Sequence, residues 1–428
     1  MIATNSNLAP TKTACVPRQT RRHAWALVCL TALVACSTGA KREFATAPTI
    51  ADRATAHTFA LPTTPVFRHP GVVVTGPGLA FVKAQIAAGH EPWTAALAKV
   101  RADRLSSLDA APQPFARVIC GSYSKPDIGC TAEKRDSQAA YTHALLWALT
   151  GEEAHAQKAI EFMNAWARVL ESHENSNAPL QAAWSASVWP RAAEIMRSYP
   201  GWAKEDVARF AGMLKELYLP LVVNGHPSSN GNWELSMIEA TIGIAVFLDD
   251  RALFDHAVTM WRKRVPAYVY LTSDGPAPVP PPRVPRPNLA KYWYEQTTFP
   301  QDGVGQETCR DLGHMQYGLA AMLNAAETAL IQGVDLYGEE AKRIVAALNF
   351  HAPFVVGTPP PDWLCRGSLN STKPNEMWEI AYNHYVNRAG MALPAVATVI
   401  SKIRPTGTNH HMVWETLTHA EIGRAGIQ

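Results

Sequence analysis

The chain contains neither an HExxH segment nor a CxxC pair, so a metal site has no support and no cofactor is expected. It also lacks an excess of either charge, with 39 Lys and Arg against 36 Asp and Glu. Four of the basic residues, Lys12, Arg18, Arg21 and Arg22, precede the first apolar run, which leaves the remainder close to neutral. A nucleic-acid binder usually shows a basic excess or patch, and that function is excluded here. If the ligand is a polyanion, capture must be local rather than through a bulk field. Long apolar runs are missing too, since Ala24 to Ala35 is too short to span a bilayer. No fixed-period repeat marks a solenoid. Strand-like segments are scarce, Gly71 to Thr75 being one of the few.

What is present begins with a processing signal. A basic stretch without acidic residues leads into Ala24 to Ala35 and ends in Leu33-Val34-Ala35-Cys36. This resembles a bacterial lipobox, which implies cleavage before Cys36 and lipid attachment to its thiol. Residues 1–35 are then a signal peptide, and 36–66, rich in Ser, Thr, Ala and Pro, read as the lipidated Cys and a flexible tether. The expected location is outside the cytoplasm, in the periplasm or anchored to the outer membrane of a Gram-negative bacterium. Export permits disulfides among Cys120, Cys130, Cys309 and Cys365. Cys120 and Cys130 close a short loop that suits one, while three connectivities stay open.

From 67 onward helical patterns follow one another over 78–104, 138–149, 152–170, 184–199, 205–218, 236–248, 251–265, 339–349 and 377–403. Such a chain is expected to be all-α, an α/α toroid (an incomplete barrel of paired helices), in one domain over 67–428 that acts as a monomer. The proline-rich segment Gly275 to Pro287 should be extended and exposed. Aromatic residues beside such loops, Tyr294 among them, can stack on sugar rings.

Two stretches carry chemistry. In Asp302 to Leu330, Glu307, Arg310, His314 and Tyr317 are spaced three, four and three residues apart, which predicts one face of a helix opposite an apolar stripe. A solvated Glu–Arg pair is the bland alternative. In the second stretch, Asn230-Gly231-Asn232-Trp233-Glu234 opens a helix over 235–248 that is apolar all round, hence buried. Either asparagine could be a simple N-cap.

These residues resemble the alginate lyase superfamily of toroid-fold polysaccharide lyases. Asp302-Gly303, Glu307-Thr308-Cys309-Arg310 and Tyr317 are similar to its DG…ExxR…Y segment, and Asn230-Gly231-Asn232-Trp233 to a variant of the Asn-Asn-His segment of polysaccharide lyase family 5. The general look is closest to family 38. Trp233 stands where family 5 has its histidine, so His314 is the leading substitute, with His226 and His384 as alternatives. The resemblance implies β-elimination on a uronic acid polymer, foremost alginate, leaving a 4,5-unsaturated end. Asn232, with His314, would neutralise the sugar carboxylate; Tyr317 would carry the proton; Arg310 would lower the phenol's pKa. A Cys309–Cys365 bridge could stiffen the segment. The substrate-binding set is Asn230, Trp233, Glu307, Tyr294, Tyr382, His384, Arg388, His410 and His411. Three rivals stay open: a lyase for glucuronan or another uronan, a glycoside hydrolase drawing its carboxylates from Glu234, Glu307 and Asp311, and a non-catalytic glycan-binding lipoprotein.

Overall fold

A computed structural model describes residues 67–427. The expected signal peptide, lipidated Cys36 and tether lie outside the described residues. The described chain is helical, in the order α1 (Gly76–Ala87), α2 (Trp93–Ala102), α3 (Cys130–Thr150), α4 (Glu153–Val169), α5 (Ala178–Met196) and α6 (Lys204–Met213). There follow α7 (Leu219–Val222), α8 (Gly231–Phe247), α9 (Arg251–Tyr268), α10 (Leu289–Tyr292) and α11 (Leu312–Ile331). The last five are α12 (Leu336–Glu339), α13 (Ala341–Val355), α14 (Trp378–Tyr382), α15 (Pro394–Ile403) and α16 (Glu415–His419).

The helices form two layers. In the inner one α3 packs on α5, α5 on α8 and α8 on α11; outside it, α4 covers α3 and α9 covers α8. This is the paired-helix arrangement of an α/α toroid. Burial follows the layering. Every residue of α8 except Trp233 is buried, and every residue of α5 except Pro179 and Trp184. α8 fills that burial mostly with apolar groups, and the charge that α5 buries at Arg191 is paired with Glu239 at 2.5 Å. The outer α4 instead keeps a one-sided apolar stripe centred on Phe162, Met163 and Trp166.

Two small sheets complete the unit. β1 (Arg117–Cys120) lies between antiparallel β2 (Asp127–Ile128) and parallel β3 (Ser172–Glu174). β4 (Thr408–Asn409) and β5 (Met412–Val413) form a hairpin. Disulfides join Cys120 to Cys130 and Cys309 to Cys365.

Several local expectations are corrected. Gly71 to Thr75 is not a strand: the backbone N–H groups of Gly71 and Val73 donate to the side chains of Glu194 and Thr328. The 78–104 pattern is two helices, because Pro92 removes a backbone donor that a continuous helix would use. The 377–403 pattern breaks after Arg388. The segment 275–287 is irregular as expected, but Pro278 and Pro281 are buried.

Candidate active site

The inner helices end at a cleft of about 710 Å³. Its wall is drawn from segments far apart in sequence: Tyr123 of the loop closed by Cys120–Cys130, Lys134 of α3, Trp184 of α5, Asn230 and Trp233 at the start of α8, Arg310, His314 and Tyr317, and His410 of the β4–β5 hairpin. Among the described residues lining it there is no Asp or Glu.

The 302–330 segment is not one helix. α11 begins only at Leu312, capped by Asp311, whose carboxylate accepts from the His314 N–H at 2.9 Å. Glu307 and Arg310 therefore lie in the preceding turns, off any shared face. Nor is α11 amphipathic. All its residues are buried except Gly313, His314, Tyr317 and Leu330, so His314 and Tyr317 are its opening onto the cleft.

Glu307 lies beneath the cleft, fully buried, and binds two stretches together. It accepts from the Asn232 N–H at 3.0 Å, Asn232 Nδ2 at 2.6 Å, Tyr268 Oη at 3.2 Å and Arg310 Nη1 at 2.8 Å. Gly231 is required beside this hub, because a Cβ there would sit 1.9 Å from the Tyr268 ring. Asn232 is consequently buried and turned to Glu307, away from the cleft wall. Asn230 occupies the N-cap position of α8 without capping it: Oδ1 accepts from Gln306 Nε2 at 3.2 Å, and the side chain also hydrogen-bonds Tyr294.

Around Tyr317 three histidines gather. Asp311 Oδ2 accepts from His314 Nδ1 at 2.6 Å, which fixes that tautomer and leaves Nε2 as the nitrogen Asp311 does not engage. Burial would raise the Asp311 carboxyl, but its bonds with His314 outweigh this and hold it below the usual range. The His410 ring lies 4.8 Å from Tyr317 and 4.3 Å from Trp184. Burial, with Lys134 beside it, pushes His410 well below the ordinary imidazole value. Burial raises the Tyr317 phenol; the amide of Asn409, 3.5 Å from Oη, opposes that rise and Asp311 adds to it. This corrects the expected effect of Arg310, whose guanidinium is turned to Glu307 and Tyr123. The phenol is held protonated, not poised as phenolate.

Of the residues singled out from sequence, Asn230, Trp233, Arg310, His314, Tyr317 and His410 share the cleft. Tyr294 lines a neighbouring hollow beside the Cys309–Cys365 bridge. The others stay out of the cleft, and Asn232, Glu307, Arg388 and His411 are buried. His384 stacks on Tyr337 at 3.9 Å, Arg388 pairs with Glu327 at 2.7 Å, and the Arg404 guanidinium lies 6.0 Å from the Tyr382 ring. His411 is buried and donates from Nε2 to the Tyr317 carbonyl at 3.1 Å. His226 rests 5.9 Å from the Trp233 ring. Sequence reasoning missed Tyr123, Lys134 and Trp184. No sequence signal marked Lys134: its stripe with Ser137, Gln138 and Tyr141 is polar, and only the structure shows those neighbours buried.

The sequence model of a family described as Alginate lyase matches residues 125–361, more than half of the chain. No curated protein matches it. Alginate lyase A1-III from Sphingomonas species A1 superposes with a TM-score of 0.57 at 17% identity, covering 82% of this chain and 97% of that one. A variant of that enzyme complexed with tetrasaccharide gives 0.58 at 18%, covering 85% and 98%. An alginate lyase from Bacteroides ovatus gives 0.51 at 15%, covering 82% and 99%. At these identities the likeness is one of fold.

Proposed function

The chain belongs to the alginate lyase family of polysaccharide lyases, and from that premise we propose that it cuts a uronic acid polymer, foremost alginate, by β-elimination. One observation carries the reading: among the described residues, the cleft wall presents Lys134, Arg310, His314, Tyr317 and His410 and no carboxylate. Such a wall suits an anionic sugar. It does not suit a hydrolase, which needs two carboxyl groups flanking the bond. Glu307 is buried under four donors, and Glu234 is paired with Arg264 at 3.2 Å.

The C5 proton of a uronate is weakly acidic because the adjacent carboxylate is already negative. Elimination requires that charge to be neutralised while the enediolate forms. Arg310 and Asn230 line the cleft and supply donors for it; Asn232, turned to Glu307, does so only by fixing Glu307 and hence Arg310. His314, with Nδ1 held by Asp311, takes the C5 proton on Nε2. Tyr317, kept protonated by burial, gives its proton to O4 of the leaving sugar. Trp233 and Trp184 offer ring faces to the neighbouring pyranoses. We further propose that export and a lipid on Cys36 place this activity outside the cytoplasm.

The test is a panel of defined uronans (polymannuronate, polyguluronate, glucuronan) incubated with the protein and read for ultraviolet absorbance of the 4,5-unsaturated end. Alginate should give it, and Tyr317→Phe, which keeps the ring and removes only the hydroxyl, should lower turnover by about 10²–10⁴. Saturated products would establish hydrolysis instead. Wild-type turnover by Tyr317→Phe would remove the phenol from the reaction.

A further inference from the structure

A line of polar groups leads from Lys134 on α3 to the phenol of Tyr317. Lys134 Nζ lies 3.4 Å from His410 Nε2. His410 Nδ1 lies 2.7 Å from Asn409 Oδ1. Asn409 Nδ2 then faces Tyr317 Oη at 3.5 Å and Asn375 Oδ1 at 3.2 Å. The hairpin that carries the middle members is pinned by Gln138 Nε2, which donates to the His410 carbonyl at 2.7 Å, and His410 is packed against Trp184.

We propose that Lys134 is a positioning residue for Tyr317, acting through His410 and Asn409; the proposal rests on Tyr317 being the acid of the elimination. The argument is one of polarity. An ammonium has donors and no acceptor, so His410 Nε2 beside it must accept. A neutral imidazole accepting at Nε2 carries its proton on Nδ1, which donates to Asn409 Oδ1. With its oxygen so engaged, Asn409 presents its NH₂ to Tyr317 and Asn375. A donor aimed at the phenol oxygen stabilises the phenolate left when the proton goes to O4, which strengthens the acid. Remove the ammonium and the polarity is no longer enforced. His410 can then carry its proton on Nε2, the Asn409 amide can turn over, and Tyr317 faces a carbonyl that favours the phenol.

Burial keeps His410 neutral, as the scheme requires, and also lowers Lys134, with Asp127 working to hold its charge. The other titratable groups facing the line are Asp311 and His314 toward Tyr317, and His411, with Arg191 behind it, toward His410. None of these supplies a donor to His410 Nε2.

The experiment compares the full chain with Lys134→Met and Lys134→Arg by two readouts. The first is the ¹⁵N shifts of His410 without substrate: Nδ1–H in the parent and Lys134→Arg, a shift toward Nε2–H in Lys134→Met. The second is the pH profile on the active uronan. The alkaline limb, where Tyr317 must be protonated, should move to higher pH in Lys134→Met. The plateau in kcat should fall on the order of tenfold, the worth of one hydrogen bond to a charged group, with KM changing much less. A rise in KM alone, with tautomer and limb unmoved, would make Lys134 a substrate contact and overturn the proposal. If Lys134→Met does not fold, the parent decides: His410 protonated on Nε2 overturns it. Should Tyr317→Phe keep its turnover, the reading of the reaction fails, while the tautomer measurement still judges the Lys134–His410 link.

Discussion

Asn232 shows how one buried amide ties two distant stretches together. Its Nδ2 and its backbone N–H both donate to Glu307, 75 residues away, while its Oδ1 is buried without a partner. Asn232→Ala withdraws one donor from a carboxylate that has no access to water. We expect a loss of about 1–3 kcal/mol in stability, measured by urea unfolding, together with a fall in turnover as Arg310 loses its fixed partner. Unchanged stability would show that Glu307 does not depend on this bond. The residue was legible as special from its sequence, flanking a glycine beside a tryptophan at the mouth of an apolar helix. Its orientation was not, because that follows from Tyr268 filling the space against Gly231, a contact between residues 37 positions apart.

At the scale of elements, the turns over 302–311 matter as much as the helix after them. They hold Arg310 at the cleft, and Cys309 next to it is bridged to Cys365 across 56 residues. Closing a loop of that length restricts the unfolded chain by about 4 kcal/mol in the loop-entropy view. Replacing both cysteines by serine should therefore lower stability by up to about that amount. It should also lower kcat more than it raises KM, since the charge that Arg310 neutralises grows as the enediolate forms. A KM effect with unchanged kcat would make Arg310 a ground-state contact only. The helical period suggested that residues 307 and 310 continue α11. What ends the helix is Asp311, whose side chain caps the His314 N–H and holds the His314 ring.

Over the whole molecule, the interior holds histidines that burial keeps neutral: His143, His411 and His419 are pushed down to about 3 and His351 to about 4. Their folded values lie below the ordinary value of about 6.5, so below that pH the unfolded chain binds more protons. The stability they contribute is full above about 6.5 and is lost as pH falls toward their folded values. Burial raises Glu239 to about 7 and Glu415 well above its usual range, which works in the opposite sense. The informative quantity is thus a difference between chains. His351→Gln should bind about one proton fewer on unfolding between pH 6.5 and 4, seen as a shallower fall in urea-unfolding free energy. Parallel slopes in parent and variant would mean that His351 titrates normally when folded.

The sequence alone determined that α8 lies inside, since a helix nearly apolar all round must be covered on both sides. It also singled out Asn230, Trp233, Arg310, His314, Tyr317 and His410, whose residue types suit an anionic sugar. Tertiary structure alone decided which polar residues reach the cleft and which stay inside. His410 and His411 are adjacent in the chain, yet a hairpin with His410 at φ 52° sends one ring to the cleft and the other to Glu239. It alone brought Lys134 to His410, because the packing of α3 on α5 sets a lysine 276 residues away within 3.4 Å of that ring. Periodicity reads a residue's own element; the other side of a cleft belongs to elements that local sequence does not encode.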